Sequence, residues 1–350
     1  MIRAAQDSQD TSDCREMRKT SQSLRLVACL LNISEAHNKR IVESVALSAT
    51  NLHIPTKQDQ FQGRGGKNSD GGVKCPATVL NIFSDLDYNR SVITIAAPIE
   101  NIEESVYRAC ETAYDQIDLG NHCGGHPRLG SVDLVPIHPI NSEVDLKECG
   151  QVAQRIGHRI VENIKGTSVF FFGHADVPQN RGLVNRRKGV NWYKGKAGMS
   201  FDNIGWDLGQ RPSPRYGCTG VGAIPYITNC NVTINTKDLA LGDEIAKYIR
   251  ASTPGGLQGV QSMAFEHNEM VEIACNVEAF EDLSSDGQIQ YTKAEEIENE
   301  IKGLAHTRGV DIFGSKLVGF TPSEAYFRAE KALLEGNATA WKSLEQGLLM

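Results

Sequence analysis

His122-Cys123-Gly124-Gly125-His126-Pro127-Arg128-Leu129-Gly130-Ser131-Val132-Asp133 gathers two imidazoles, a thiol, a guanidinium and a carboxylate into one short run. Gly124, Gly125 and Pro127 disfavour regular helix, so the run reads as a shaped loop. Val132 to Ile137 then reads as a short apolar strand. A loop at the mouth of a strand is where a scaffold displays a reactive group. His126 is the candidate, because a neutral imidazole accepts a proton near pH 7. Taken alone, the loop reads first as a turn whose His and Arg cap neighbouring backbone groups.

Upstream, Leu24 to Ile33 reads as a buried strand, and Ser34 is placed to cap a helix through Val42, Val45, Ala46 and Ala49. Gln62 to Lys74 holds five glycines and reads as a flexible loop. It is not a phosphate-binding loop, since Gly66-Lys67 lacks the upstream Gly and the following Ser or Thr. Val79 to Phe83 and Val92 to Ala96 read as strands joined through Asp85–Arg90. Ile102, Val106, Ala109, Cys110, Ala113 and Ile117 mark an amphipathic helix.

Downstream come a helix near Asp145 to Glu162 and a strand at Ser168 to Phe172. Gly217 to Gly222 loosely suggests a nucleotide fingerprint, but it leads into a strand, Ile227 to Ile234, rather than a helix. A second alternating half follows: a helix at Asp238 to Arg250, strands near Val260 to Phe265 and Met270 to Val277, a helix near Ala294 to His306, a strand near Leu317 and a helix from Ser323. Alternation of this kind predicts layered α/β or α+β architecture.

A chain of 350 residues is long for a single core and suits two subdomains. The expected division is a polar tail at 1–22, a first subdomain at 23–201, a second at 202–335 and a C-terminal tail at 336–350. Hydrophobic residues at 40% and charged residues at 23% are globular values, and the longest apolar runs are far too short to span a bilayer. The first residues lack an apolar signal core, and Asp7, Asp10, Asp13 and Glu16 argue against a transit peptide. The expected location is therefore cytoplasmic. Nine cysteines without a C-x-x-C pair fit a reducing compartment rather than a disulfide framework. A net charge of -7 argues against general nucleic-acid binding. Arg181 to Arg215 nevertheless carries eight Lys or Arg against Asp202 and Asp207. It reads either as a site for a small polyanion or as a solvated basic loop.

Two other chemistries fit the loop less well. His122, Cys123 and His126, with Asp133, give at most a sparse metal set with no second cluster at zinc-ribbon spacing. Cys123 as a nucleophile beside His122 or His126 lacks an identifiable orienting group. The expectation is no metal.

Several segments together resemble the folate-dependent glutamate formiminotransferase family. Leu26–Glu35 (LVACLLNISE) is similar to the family's opening strand and N-F-S-E-G turn, and Asp85-x-Asp87-x-Asn89-Arg90-Ser91-Val92 to its D-x-D-x-N-R-S-V segment. Gly125–Asp133 (GHPRLGSVD) resembles E-H-P-R-M-G-A-x-D, Leu183-x-x-x-Arg187-x-Gly189 a further element, and Gly314–Pro322 (GSKLVGFTP) the late G-S-Q-L-V-G-L-V-P. The resemblance runs in order over roughly residues 24 to 335. It implies two ferredoxin-like α/β subdomains with facing mixed β-sheets and helices outside, a homodimer, and no cyclodeaminase domain.

It also implies transfer of a formimino group, with formyl as a second one-carbon unit, from an N-substituted glutamate to tetrahydrofolate. The co-substrate would carry a polyglutamate tail suited to the basic zone. His126 matches the family's general base. Asp87, Asn89, Arg90, Arg128, Arg187, Gly220 and Gly222 are the implied substrate-binding residues. Four positions depart from the family pattern: Phe83 for Asp, Gly125 for Glu, His174 for Glu, and Ile224-Pro225 for an Arg-bearing element. A binding protein for folate without turnover, or a different folate one-carbon reaction, is the alternative.

Overall fold

The computed structural model describes residues 23–52, 73–125, 127–189, 205–267, 269–280 and 289–344. Leu26–Ile33 (β1) is an almost unbroken apolar run, and such a run belongs in a strand covered on both faces. It pairs antiparallel with Arg90–Pro98 (β3) on one side and Val132–Pro139 (β4) on the other. Thr78–Asp85 (β2) completes a hairpin with β3. Beyond β4 the sheet becomes parallel, through Thr219–Ala223 (β7) and Ser168–Gly173 (β5), and Leu208–Gly209 (β6) closes the edge. The order is β2-β3-β1-β4-β7-β5-β6.

Three helices cover one face: Lys39–Ser48 (α1), Ile99–Gln116 (α2) and Leu146–Asn163 (α3). Asp145 starts α3 with a reciprocal cap, its side chain accepting from the Glu148 amide at 2.7 Å. Val27, Cys29, Leu31 and Ile33 point into this core, and the alternate residues Leu26 and Ala28 point the other way. The opposite side meets Pro322–Glu335 (α7) through Ala325, Ala329 and Leu333.

Ile227–Ile234 (β8), Val260–His267 (β9), Met270–Glu278 (β10) and Ile312–Val318 (β11) form an antiparallel sheet in the order β11-β8-β10-β9. One face of it packs on Leu239–Ile249 (α5) and Ala294–His306 (α6). The molecule is thus a mixed α/β protein with two sheets, as the resemblance implies. A short helix, Leu183–Gly189 (α4), follows β5.

Several local expectations change. Ser34 does not cap α1; the helix starts at Lys39 after Asn38, and the Ser34 hydroxyl instead donates to the Gly130 carbonyl at 2.6 Å. Gly217 to Gly222 becomes strand β7, not a nucleotide loop. A Cβ at Gly220 would lie 2.6 Å from the Phe170 ring, and one at Gly222 would lie 2.5 Å from that of Phe172. These glycines leave room for two aromatic rings in the neighbouring strand. Residues 336–344 are not a loose tail: Asn337 and Ala338 accept hydrogen bonds from Thr78 and Val79, and Trp341 packs on the first core. The expected tail at 1–22, the expected loop at 62–72 and the expected boundary at 201/202 lie outside the described residues. β6 and β7, which follow that boundary, still belong to the first sheet.

His138 on β4 joins the first sheet to the crossing toward the second. Its Nδ1 lies 3.0 Å from the carbonyls of both Ile224 and Pro225, so this nitrogen carries the proton. Burial lowers its pKa to about 4, outweighing the two carbonyl contacts that favour the charged form. The folded value lies below the unfolded value of about 6.5, so the neutral ring contributes fully above that pH. The contribution is lost as pH falls toward 4. Urea unfolding should therefore show His138 contributing about 2.5 kcal/mol of destabilisation between pH 7.5 and 4.5. His138→Gln should flatten the profile by that amount, and identical slopes in the two proteins would contradict the assignment.

Candidate active site

β1 runs antiparallel to both its neighbours, so its C-terminal end meets the start of β4 and the β2–β3 turn. Three stretches far apart in sequence therefore converge: Ser34–Asn38, Asp85–Ser91 and His122–Asp133. Asp85 Oδ1 accepts from the Tyr88 amide at 2.8 Å and closes the turn. Asn89 sits in the left-handed region (φ 48°), which Asn tolerates better than most residues. Its side-chain oxygen accepts from the amides of Ala36 (2.8 Å) and His37 (3.3 Å). Its carbonyl accepts from His122 Nε2 at 2.9 Å. The Gly125 amide donates to the Asp87 carbonyl at 2.9 Å. A Cβ at Gly124 would stand 2.3 Å from the Tyr88 carbonyl oxygen, so the loop's close approach requires glycine there.

Asp133 lies one residue inside β4 and is wholly buried. Its Oδ1 accepts from the amides of Leu129 (2.7 Å) and Gly130 (3.3 Å). Its Oδ2 is 3.3 Å from Arg128 Nη1 and 3.6 Å from Arg187 Nη2. Arg128, itself 4% exposed, also donates from Nε to Ser34 Oγ at 3.0 Å. Burial lowers its guanidinium to about 10, partly offset by Asp133 and reinforced by the like charges of Arg90 and Arg187. It stays protonated at neutral pH. Burial likewise lowers Arg90, with Asp133 and Asp85 opposing the shift. Two guanidiniums thus meet one fully buried carboxylate, and Arg90 adds a third positive charge that interacts with it electrostatically. Arg128 Nη2 and Arg90 Nε are buried and donate no hydrogen bond among the described residues. Donors of that kind are costly to leave unmet and suit an anionic acceptor.

The structure brings Asp87, Asn89, Arg90, Arg128 and Arg187 to this end of the first sheet. Asp87 is exposed and enters through its backbone. Gly220 and Gly222 stand apart under Phe170 and Phe172, so their evident part is packing. His126 lies outside the described residues, between Gly125 and Pro127 in the chain. Much of the basic zone is engaged internally: Arg181 pairs with Asp176 (2.7 Å), Arg186 with Asp207 (2.9 Å), and Arg215 donates to the Asp115 carbonyl (3.0 Å). Lys194 and Lys196 lie outside the described residues.

Ser34 and Asp133 hold the arginines, although neither was singled out for that part. A carboxylate inside the apolar run Val132–Ile137 was the available signal for Asp133. The eight described cysteines are free, and Cys123 is exposed. Among the described residues no group of three or more His, Cys, Asp or Glu could hold a metal ion, and no helix is long and apolar enough to cross a membrane. A cavity of about 390 Å³ lies at the opposite end of β4, lined by Pro139, Asn141, Lys147, His174, Tyr226 and Phe280 among others. Asp133 and Pro139 are six residues apart along β4, about 20 Å, so the cavity is not part of the arginine site.

Comparison with known proteins agrees with the ordered segments. Residues 26–224 match the formiminotransferase domain, N-terminal subdomain. The chain is 29% identical over 307 residues to a glutamate formimidoyltransferase of Streptococcus pyogenes serotype M1, covering 86% of this chain and 90% of that protein. It is 27% identical to a glutamate formimidoyltransferase of Thermoplasma acidophilum, covering 74% and 83%. It is 26% identical to the formimidoyltransferase-cyclodeaminase of Gallus gallus, covering 87% of this chain and 52% of that longer protein.

The buried cluster makes a stability prediction. Asp133→Asn leaves the Arg128 charge buried without its counterion, which costs about 3–5 kcal/mol. Chemical denaturation should show that loss. The pair Asp133→Leu with Arg128→Met should recover much of it. A single variant within about 1 kcal/mol of the parent would mean that the ion pair does not organise the loop.

Proposed function

The chain belongs to the formiminotransferase family and is a transferase, and from that premise we propose that it moves a formimino group from N-formiminoglutamate to tetrahydrofolate. The donor carbon is attacked by folate N5, which loses a proton. The C–N bond to glutamate breaks, and the departing nitrogen gains a proton. A single imidazole can take the first proton and deliver the second. His126 is assigned that part, in a loop fixed by Gly125 to the Asp87 carbonyl and by Arg128 to Asp133.

The observation that carries the reading is the pair of buried donors, Arg90 Nε and Arg128 Nη2, beside this loop. The glutamyl donor brings two carboxylates, and Arg90, Arg128 and Arg187 offer positive charge beyond what Asp133 balances. Asn89 and Asp87 shape the rim. A formyl donor has the same two carboxylates and is a second substrate under the same scheme. The folate tail, polyglutamylated in this proposal, would extend toward the basic zone. We further place the protein in the cytoplasm as a homodimer that needs no metal, with subdomains divided after the first sheet.

Gly125 gives a specific reason to keep folate binding without turnover as a second reading. A Cβ there would have ordinary contacts, 3.7 Å from the Asp87 carbonyl and 3.9 Å from Tyr88, so space does not explain the loss of a carboxylate. A turnover assay with tetrahydrofolate and formiminoglutamate separates the two readings. Turnover is expected, and His126→Ala should reduce it 10²- to 10⁴-fold with folate affinity little changed. Binding with no turnover of formimino or formyl donors would favour the second reading. Full turnover by His126→Ala would remove the assigned base.

A further inference from the structure

β7 ends at Ala223, and the chain turns through Ile224-Pro225-Tyr226 into β8. Tyr226 and Ala279, at the β8 start and β10 end, pack with Leu26, Ala28 and Ile140 of the first unit. The β10 end is therefore anchored at the His138 end of the first sheet, and its beginning lies some seven residues away along the strand. Glu272 stands there, opposite Thr233 near the end of β8. It alternates with Val271 and Ile273, which face the α5–α6 core, so it points from the other, polar face.

Glu272 is 8% exposed. Asn231 Nδ2 donates to its Oε1 at 2.8 Å, and Lys316 Nζ lies 3.1 Å from its Oε2. That second oxygen is buried and accepts no properly directed hydrogen bond among the described residues. The Asn and Lys fix the carboxylate in place and leave it accepting capacity. Its charge is felt at the β2–β3 turn. Glu272 is close enough to Tyr88 to help raise its phenol, after burial and Asp85. Tyr88 in turn lies against Gly125 of the reactive loop.

We propose that Glu272 is a specificity-determining residue that receives the pterin edge of tetrahydrofolate, a role resting on the transferase reading above. The 2-amino-4-oxo pterin carries N3–H and a 2-amino group side by side, two parallel donors that match the two oxygens of a carboxylate. The site divides by charge. The arginines on the first sheet suit the donor's carboxylates. The carboxylate on the second suits the nitrogen-rich ring, and N5 is brought toward the loop that carries His126.

Calorimetry on the full chain with 5-formyltetrahydrofolate and its 2-desamino analogue tests this. The unmodified protein should bind the analogue at least tenfold more weakly than the parent folate. Glu272→Gln should weaken the parent folate by a similar factor and the analogue by clearly less, because the analogue keeps only N3–H of the two donors that Glu272 meets. A variant that weakens both ligands equally, or neither, overturns the assignment of Glu272 and leaves the transferase reading standing. No binding of either folate by the unmodified protein overturns that reading and this assignment with it.

Discussion

The Asp133 carboxylate is the constraint on which the rest of the site depends. One oxygen fixes the Leu129 and Gly130 amides, and the other meets Arg128 and Arg187. Its position just inside β4 ties loop geometry to sheet register, since Val132 and Leu134 on either side pair with β1. Arg128 extends the tie to Ser34, at the far end of β1. A buried charge is normally a liability and is tolerated only with a full set of partners. Here the carboxylate is well provided for. The guanidiniums around it still hold donors to spare, and that surplus is what makes the cluster a binding surface as well as a brace.

The converging turns show why such distant segments act together. Asn89 accepts from the Ala36 and His37 amides and from His122, so the β2–β3 hairpin holds both the β1 exit and the reactive loop. Gly124 lets the loop press against the Tyr88 carbonyl. The loop is built from short contacts to backbone that is itself held in a sheet, which is how a catalytic group gains a defined position.

Much of the fold was legible in the residues. Leu24 to Ile33 reads as a buried strand and proves to be a central one, and the helix expected near Asp145 to Glu162 is present at Leu146–Asn163 with Asp145 as its cap. Ser34 misled because a hydroxyl before a helical pattern looks like a cap, whereas its real partner, Gly130, lies 96 residues away. Gly220 and Gly222 looked like ligand-approach glycines, and only the neighbouring strand reveals that Phe170 and Phe172 fill the space. Met270 to Val277 read simply as a strand, and nothing in it indicated what lay across from Glu272. His126 as a base came from resemblance to a family; the residues around it allowed a simple turn. Long-range pairing is what local pattern cannot supply.

The central claim is that the Asp133-held arginines form the donor's carboxylate site. Amide hydrogen exchange at Leu129 and Gly130, measured with and without saturating glutarate, addresses it most directly. Glutarate has the donor's two carboxylates and no reactive group. The account predicts slower exchange at both amides, because an anion on Arg90 and Arg128 would stiffen the cluster that holds them. It predicts no such change with the uncharged diamide. Unchanged exchange at saturating glutarate, or equal protection by the diamide, would contradict it.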